Sequence, residues 1–243
     1  MIRIDQLSHS YPGGTTVLSD INLSITRGTL LALVGTNGSG KSTLLSLLAG
    51  ILRPTRGTIS RGGFTSPGDE AAMRRSSGLL LQDADLQILG ATVEEDILLG
   101  FATDDNVART KALDMAQRFG LADQWHTPVQ HLSWGQKRKL CLAAALLRQP
   151  DCLLLDEPFS GLDYPGMIEM REMLIASRSA GLTQVVTSHD LEPLADIVDV
   201  MAVMHAGRIA LSGAPRDILD HVREFGVRPP SSWTANRTLQ PWD

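Results

Sequence analysis

Gly35-Thr36-Asn37-Gly38-Ser39-Gly40-Lys41-Ser42-Thr43 follows the short apolar run Leu30 to Val34 and precedes Leu44 to Ala49, a stretch of helix formers closed by Gly50. Strand, glycine loop and helix in that order are the context of a phosphate-binding loop. Each part has a physical task. The glycines let backbone N–H groups turn inward around an anion, and the start of the helix adds partial positive charge. Lys41 is placed to reach the terminal phosphates, and the Ser42 hydroxyl to ligate Mg2+. A glycine-rich turn with no ligand has no need of Lys-Ser at its end, so Gly35, Asn37, Gly38, Ser39, Gly40, Lys41, Ser42 and Thr43 are the expected cradle.

The run Cys152-Leu153-Leu154-Leu155-Asp156-Glu157-Pro158 supplies the complement. A buried strand delivers two adjacent carboxylates to its C-terminal end, the edge at which α/β sheets bind ligands. Asp156 is expected to hold Mg2+ through its hydration shell, and Glu157 to polarise an attacking water as general base. Alone, Asp-Glu after a strand reads equally well as a polar loop; beside the glycine loop it reads as chemistry.

The pattern around these two stretches predicts one α/β unit. Residues 2 to 8 and 21 to 26 alternate like strands around the turn Tyr11 to Gly14, giving an antiparallel β element. Residues 84 to 150 read as mostly helical: Thr92-Val93-Glu94-Glu95 has a capping-box pattern and Val107 to Phe119 carries apolar residues at helical spacing. Beyond them Gln184 to Thr187 and Val200 to Met204 are further β-prone runs separated by helical stretches, as in a parallel sheet. The expected division is a core of residues 1–82 and 151–212, a helical subdomain of 83–150, and a C-terminal helix and tail over 213–243. Arg228 to Asp243, rich in Pro and Ser, reads as extended or loosely ordered, with Trp233 and Trp242 as possible docking points.

Composition narrows the function. The chain has 243 residues, 43% apolar and 20% charged, with a formal net charge of -5, which is ordinary for a soluble globular protein. No stretch concentrates Lys and Arg as a nucleic-acid groove requires, so no nucleic-acid partner is expected. The apolar runs fall short of the roughly 20 residues of a spanning helix, and Met1 to Asp5 alternates like a strand rather than a signal peptide. Cys141 and Cys152, each in apolar surroundings, read as core residues of a protein in a reducing compartment. His126 and His131 lack the spacing of a metal pair.

Leu132-Ser133-Trp134-Gly135-Gln136 resembles the signature motif of ABC ATPases. With Gln82 ahead of the helical block, Ser160-Gly161-Leu162-Asp163 after the carboxylates, and His189 after a later β-prone run, the resemblance spans nearly the whole chain in the same order. It implies an α/β phosphate-loop NTPase (RecA-like) core with a mostly parallel sheet, an N-terminal antiparallel β element and an inserted helical subdomain, hydrolysing ATP with Mg2+. Ser133-x-x-Gln136 is also a capping pattern, opening a helix whose free N–H groups face an anion. The resemblance implies that this anion is the γ-phosphate bound by the opposite subunit. Ser133, Gly135 and Gln136 would then complete a composite site in a head-to-tail dimer, of two copies of this chain or of this chain and a related ATPase. It further implies that Gln82 senses Mg2+ and water, that His189 contacts the γ-phosphate, and that Tyr11 stacks on adenine. Asp163 is expected to shape the dimer seam. Trp134 departs from the pattern, which commonly has Gly there; the site survives if the indole points away from the nucleotide and is weakened if it points inward.

Leu80-Leu81-Gln82-Asp83-Ala84-Asp85-Leu86-Gln87-Ile88-Leu89, with Thr92 to Ile97 and the run Ser133 to Lys139, is similar to the corresponding parts of energy-coupling factor ATPases. These proteins power uptake of cobalt or nickel ions and of vitamins such as biotin. The similarity implies two membrane partners, a transmembrane coupling subunit and a substrate-binding subunit, and a peripheral place on the cytoplasmic face of the cell membrane. Asp83, Gln87 and nearby apolar residues are expected to face the membrane partner. The ATPase of a conventional ABC importer or exporter, with the same chemistry and a different partner, is the alternative. A non-transport ABC protein is disfavoured, since the chain has neither a second cassette nor a long coiled-coil insertion.

Overall fold

Alternating burial pairs Ile2–Ser10 (β1) with Thr16–Ile25 (β2) as an antiparallel hairpin. Ile2, Ile4, Leu7 and His9 face inward, and the alternation slips at Gln6, where φ is 48° and the register shifts. The computed structural model describes residues 1–102 and 104–242. Leu30–Val34 (β3) is buried along its whole length and leads through the glycine loop into Lys41–Leu48 (α1). Arg56–Arg61 (β4) and Phe64–Ser66 (β5) return to the hairpin, so the first sheet runs β2-β1-β4-β5, entirely antiparallel. It is wider than the N-terminal element expected from sequence. After Glu70–Arg75 (α2), Ser77–Leu80 (β6) forms the far edge of the second sheet.

The helical block consists of Val93–Ile97 (α3), Asn106–Arg118 (α4), Trp134–Leu147 (α5) and single 3-10 turns. Thr92 caps α3 by accepting from Glu95 N–H, as its sequence pattern predicts. The inward face of α4 is made by Ala108, Ala112 and Ala116, one helical repeat apart, while Val107 and Leu113 are exposed. Ala112 and Ala116 pack with Val93, Ile97, Leu121, Trp125, Leu132 and Leu140 in a core of their own.

The chain then completes the second sheet with Cys152–Leu155 (β7), the helix Tyr164–Ser179 (α6), Thr183–Ser188 (β8), Val200–His205 (β9) and Arg208–Gly213 (β10). The order is β10-β9-β3-β8-β7-β6, parallel except for β10. Alternate residues of β3 enter different cores. Leu30, Ala32 and Val34 pack towards α5 and α6, and Leu31 and Leu33 towards α1 and the antiparallel sheet. Burial on both faces is why its sequence is unbroken apolar.

The C-terminal stretch corrects the expectation of a loose tail. After Pro215–Ile218 (α7), Ser231–Asn236 (α8) is helical and places Trp233, 7% exposed, in the main core, where its indole N–H donates to Asp220 Oδ1 at 2.7 Å. Glu192 accepts from Ser231 N–H at 2.9 Å, and Trp242 lies on Tyr164 and beside the Arg171 guanidinium. Burial of one large aromatic overrides the polar composition around it; Asp243 lies outside the described residues.

Candidate functional site

β3, β8, β7 and β6 lie side by side and run parallel, so their C-terminal ends open on one edge. Val34 stands opposite Ser188, Leu155 opposite Val186, and Leu80 opposite Leu155. The loops after these four strands carry Gly35 to Gly40, His189, Asp156-Glu157 and Gln82. Positions up to 154 residues apart in sequence thus meet because four buried strands share a direction.

The glycine loop is shaped for an anion. Gly40 begins α1 with φ 102°, and a Cβ there would lie 2.6 Å from Leu18 Cδ2, so only glycine fits. Thr36, Asn37 and Gly38 are exposed around the mouth, while Ser39 Oγ is buried without a hydrogen-bond partner among the described residues. Lys41, 6% exposed, donates to the carbonyls of Gly35 and Thr36 at 2.8 and 3.2 Å and stands 3.6 Å from Glu157 Oε1. A buried ammonium, an unpartnered hydroxyl and a helix N-terminus together fit a phosphate chain. The Tyr11 hydroxyl lies 3.2 Å from Thr43 Oγ1, so its half-exposed ring stands at the lip of the same loop.

The carboxylates are held tightly. Thr187 donates its hydroxyl to Asp156 Oδ1 at 2.6 Å and accepts the N–H of Glu157 at 2.9 Å. Glu157 has φ 49°, the left-handed region, which costs a non-glycine residue about 1–3 kcal/mol and persists only where its surroundings hold it. Its Oε2 lies 2.9 Å from His189 Nδ1. Ser42 is exposed, and Asp156 has no hydrogen bond to its second oxygen among the described residues. Hard oxygen donors at the end of a phosphate loop fit Mg2+, which would complete its shell with phosphate and water oxygens.

The signature stretch sits elsewhere. Ser133 Oγ accepts from Gln136 N–H at 3.2 Å and Gln136 Oε1 accepts from Ser133 N–H at 2.8 Å, a full capping box at the start of α5. A Cβ on Gly135 would meet nothing within 4 Å. These residues line an open groove of 1510 Å³ whose far wall is α6, capped by Asp163 through Gly166 N–H. None of Lys41, Asp156, Glu157 and His189 lines it. The Trp134 indole, 38% exposed, lines the same groove and leans on its own chain: its Nε1 would be 3.3 Å from a Cβ on Gly161, and the Arg138 guanidinium lies 4.4 Å from its ring centroid.

Two residues of the site escape a reading of the sequence. Thr187 is one. Arg138 is the other: 1% exposed, it donates to the carbonyls of Glu157 at 2.9 Å, of Pro158, and of Gln82 at 2.7 Å. Burial lowers its pKa to about 10, which leaves it charged at neutral pH. The side chain of Gln82 itself is exposed.

A family model describing ABC transporters matches residues 18–160, more than half of the chain. The chain belongs to the ABC transporter family. This ABC ATPase is 38% identical to the cobalt import ATP-binding protein CbiO of Rhodobacter capsulatus, over 95% of its own length and 85% of the relative's. It is 32% identical to the energy-coupling factor transporter ATP-binding protein EcfA of Methanocaldococcus jannaschii, over 95% and 86%. Among solved structures it matches cbiO1 from Clostridium perfringens, part of the ABC transporter complex cbiONQ. That match has TM-score 0.81 and 31% identity, over 92% of both chains.

Proposed function

We propose that the chain is the ATP-hydrolysing subunit of an energy-coupling factor importer for a transition-metal ion or a vitamin, working as a dimer beneath a transmembrane coupling subunit. The observation that carries the reading is the meeting of Lys41, Glu157 and His189 at one sheet edge, in a chain related over 95% of its length to a cobalt import ATPase.

The geometry supports a division of labour. Lys41, now on the carbonyls of its own loop, turns to the β- and γ-phosphates as the helix N-terminus and the buried Ser39 hydroxyl receive them. Glu157 takes a proton from water for in-line attack on the γ-phosphorus, and His189 holds the carboxylate and the γ-phosphate in line. Ser42, Asp156 and Gln82 would hold Mg2+, directly or through water, and the ion would supply charge neutralisation at the phosphates. Tyr11 offers its ring to adenine. Ser133, Gly135 and Gln136 stand in a groove of their own, which supports a head-to-tail dimer in which each signature helix meets the nucleotide of the other subunit.

The segment after Gln82 supports docking on a membrane partner. Leu86 and Leu89 are 75% and 76% exposed, next to Asp85. Gln87, expected to face the partner, instead braces the segment from within, bonded to Leu81 N–H at 3.0 Å and the Leu79 carbonyl at 2.8 Å. No helix among the described residues is long and apolar enough to cross a membrane.

The test is affinity purification of the tagged chain from native membranes with identification of the membrane proteins retained. A coupling-type subunit with a small substrate-binding membrane protein is the expected result. Recovery of a conventional permease would assign the chain to the other class of ABC transporter, and a second ATPase would make the dimer a heterodimer.

A further inference from the structure

Three consecutive cations, Lys137, Arg138 and Lys139, follow the first three residues of α5, and the structure uses them differently. Lys137 pairs with Asp85 at 2.6 Å and Lys139 with Glu169 at 2.5 Å, both at the surface. Arg138 turns inward, where its hydrogen bonds go to main-chain carbonyls rather than to a carboxylate. A buried guanidinium is costly unless its donors are used, and here both terminal nitrogens are used on the backbone of the two catalytic loops, while Nε–H has no partner among the described residues. The peptide following Glu157 is clamped by Arg138 on its carbonyl, while Thr187 holds the Glu157 N–H. That clamp keeps Glu157 in the left-handed conformation that aims its carboxylate at Lys41 and His189. The same guanidinium fixes the carbonyl of Gln82, where segment 83–89, with Leu86 and Leu89 exposed, begins.

Trp134 closes this arrangement from outside. Its ring lies over the guanidinium at 4.4 Å and against Gly161, which itself has φ 73° and so tolerates the close indole only as glycine. A cation held against an aromatic face is attracted to it, more strongly where water is excluded. The part-exposed indole therefore packs on one face of a guanidinium that is itself only 1% exposed.

We propose that Arg138, held by Trp134, is a positioning residue that ties the signature helix to the catalytic Glu157 loop and to the Gln82 segment of the same chain. Movement of the signature helix against a partner's nucleotide, or of the 83–89 segment against a membrane partner, is thereby carried to the general base of this chain's own site. Trp134, the departure from the usual signature, is a part of that linkage and not an obstruction in the nucleotide site. The inference rests on the proposed ATPase function with Glu157 as base.

The experiment is steady-state ATP hydrolysis by the full chain with its membrane partners, comparing wild type, Arg138→Lys, Trp134→Phe, Trp134→Leu and Glu157→Gln, with ATP KM, kcat and melting temperature measured for each. Arg138→Lys keeps a charge but loses the fork, and a misplacement of about 1 Å at a catalytic group costs on the order of a hundredfold. The expected result is a kcat lower by about tenfold or more in Arg138→Lys with ATP KM within about twofold. The Trp134 series should rank Trp above Phe above Leu in kcat, following the strength of the aromatic face. Arg138→Lys added to Glu157→Gln should cost nothing further, because the group it positions is gone. The inference is overturned if kcat stays within about twofold in both Arg138→Lys and Trp134→Leu, or if kcat falls only in step with a rising KM and a falling melting temperature. Wild-type turnover, and its loss in Glu157→Gln, report separately on the underlying reading.

Discussion

His189 Nδ1 lies 2.9 Å from Glu157 Oε2, so the two side chains at the ends of adjacent strands are in direct contact. The other carboxylate oxygen faces Lys41 Nζ at 3.6 Å. Three groups from three loops thus form a short chain in which each holds the next, and arriving phosphates need only displace Lys41 from Glu157 and from the loop carbonyls. Preorganisation of this kind reduces the reorganisation left for the transition state.

Glu157→Gln keeps the shape and one hydrogen-bond acceptor towards His189 while removing the basicity. Hydrolysis should fall by about a hundredfold to ten-thousandfold, the usual worth of a positioned base, with ATP binding retained. Stoichiometric nucleotide binding together with single-turnover hydrolysis checks both halves; turnover at the wild-type rate would assign the base elsewhere.

Thr187→Val is nearly isosteric but removes the hydroxyl that joins Asp156 to the Glu157 N–H. A buried N–H left without an acceptor costs about 1–3 kcal/mol, and the left-handed turn at Glu157 loses one of its two restraints. Both the unfolding free energy and kcat should drop, and Thr187→Ser should restore most of each. If Val and Ser behave alike, the hydroxyl is not what holds the turn.

Both cysteine thiols should be silent in the native protein. Burial, followed by the charge of Asp96, pushes Cys141 up to about 12, and burial pushes Cys152 up to about 11. Since the thiolate is the reactive form, at pH 8 roughly one Cys141 in ten thousand and one Cys152 in a thousand would be ionised. A chromogenic disulfide reagent should titrate no thiol at pH 8 in the folded chain and two after denaturation; rapid native reaction would mean that one of these positions opens to solvent.

What the sequence revealed and what it concealed follow from the same physics. β3, β7 and β9 were legible because strands buried on both faces carry long apolar runs, β8 because Val185-Val186 sits among β-prone residues, and the glycine loop because its residues are dictated by an anion. β4 and β10 were not: Arg56–Arg61 is largely polar, Arg208–Gly213 has only a short apolar centre, and their strand state comes from pairing with β1 and β9. Thr187 carries no signal in sequence because its role arises from the parallel pairing that sets β8 beside β7. Arg138 is hidden more thoroughly, since Lys137-Arg138-Lys139 looks like one solvated cationic run. Only the helical turn, which rotates each successive residue by about 100°, separates the buried member from its neighbours.

The C-terminal segment sets a final test because it joins the site from an unexpected direction. Arg228 forms a bridge with Asp190, the residue after His189, and Ser231 bonds Glu192 two positions further on. Trp233 anchors this contact, with its ring in the main core and its N–H on Asp220. Trp233→Ala should therefore destabilise the fold by about 3–5 kcal/mol, the range for truncating a buried tryptophan, as measured by urea unfolding. The loss should extend to function, because an unanchored segment frees the loop that carries His189. In hydrolysis at a temperature where the variant remains folded, kcat should fall severalfold, whereas Trp242→Ala, which leaves Trp233 and the Asp190 bridge in place, should change it less. Full activity in folded Trp233→Ala would make the segment a stabilising strap with no hold on the catalytic loop.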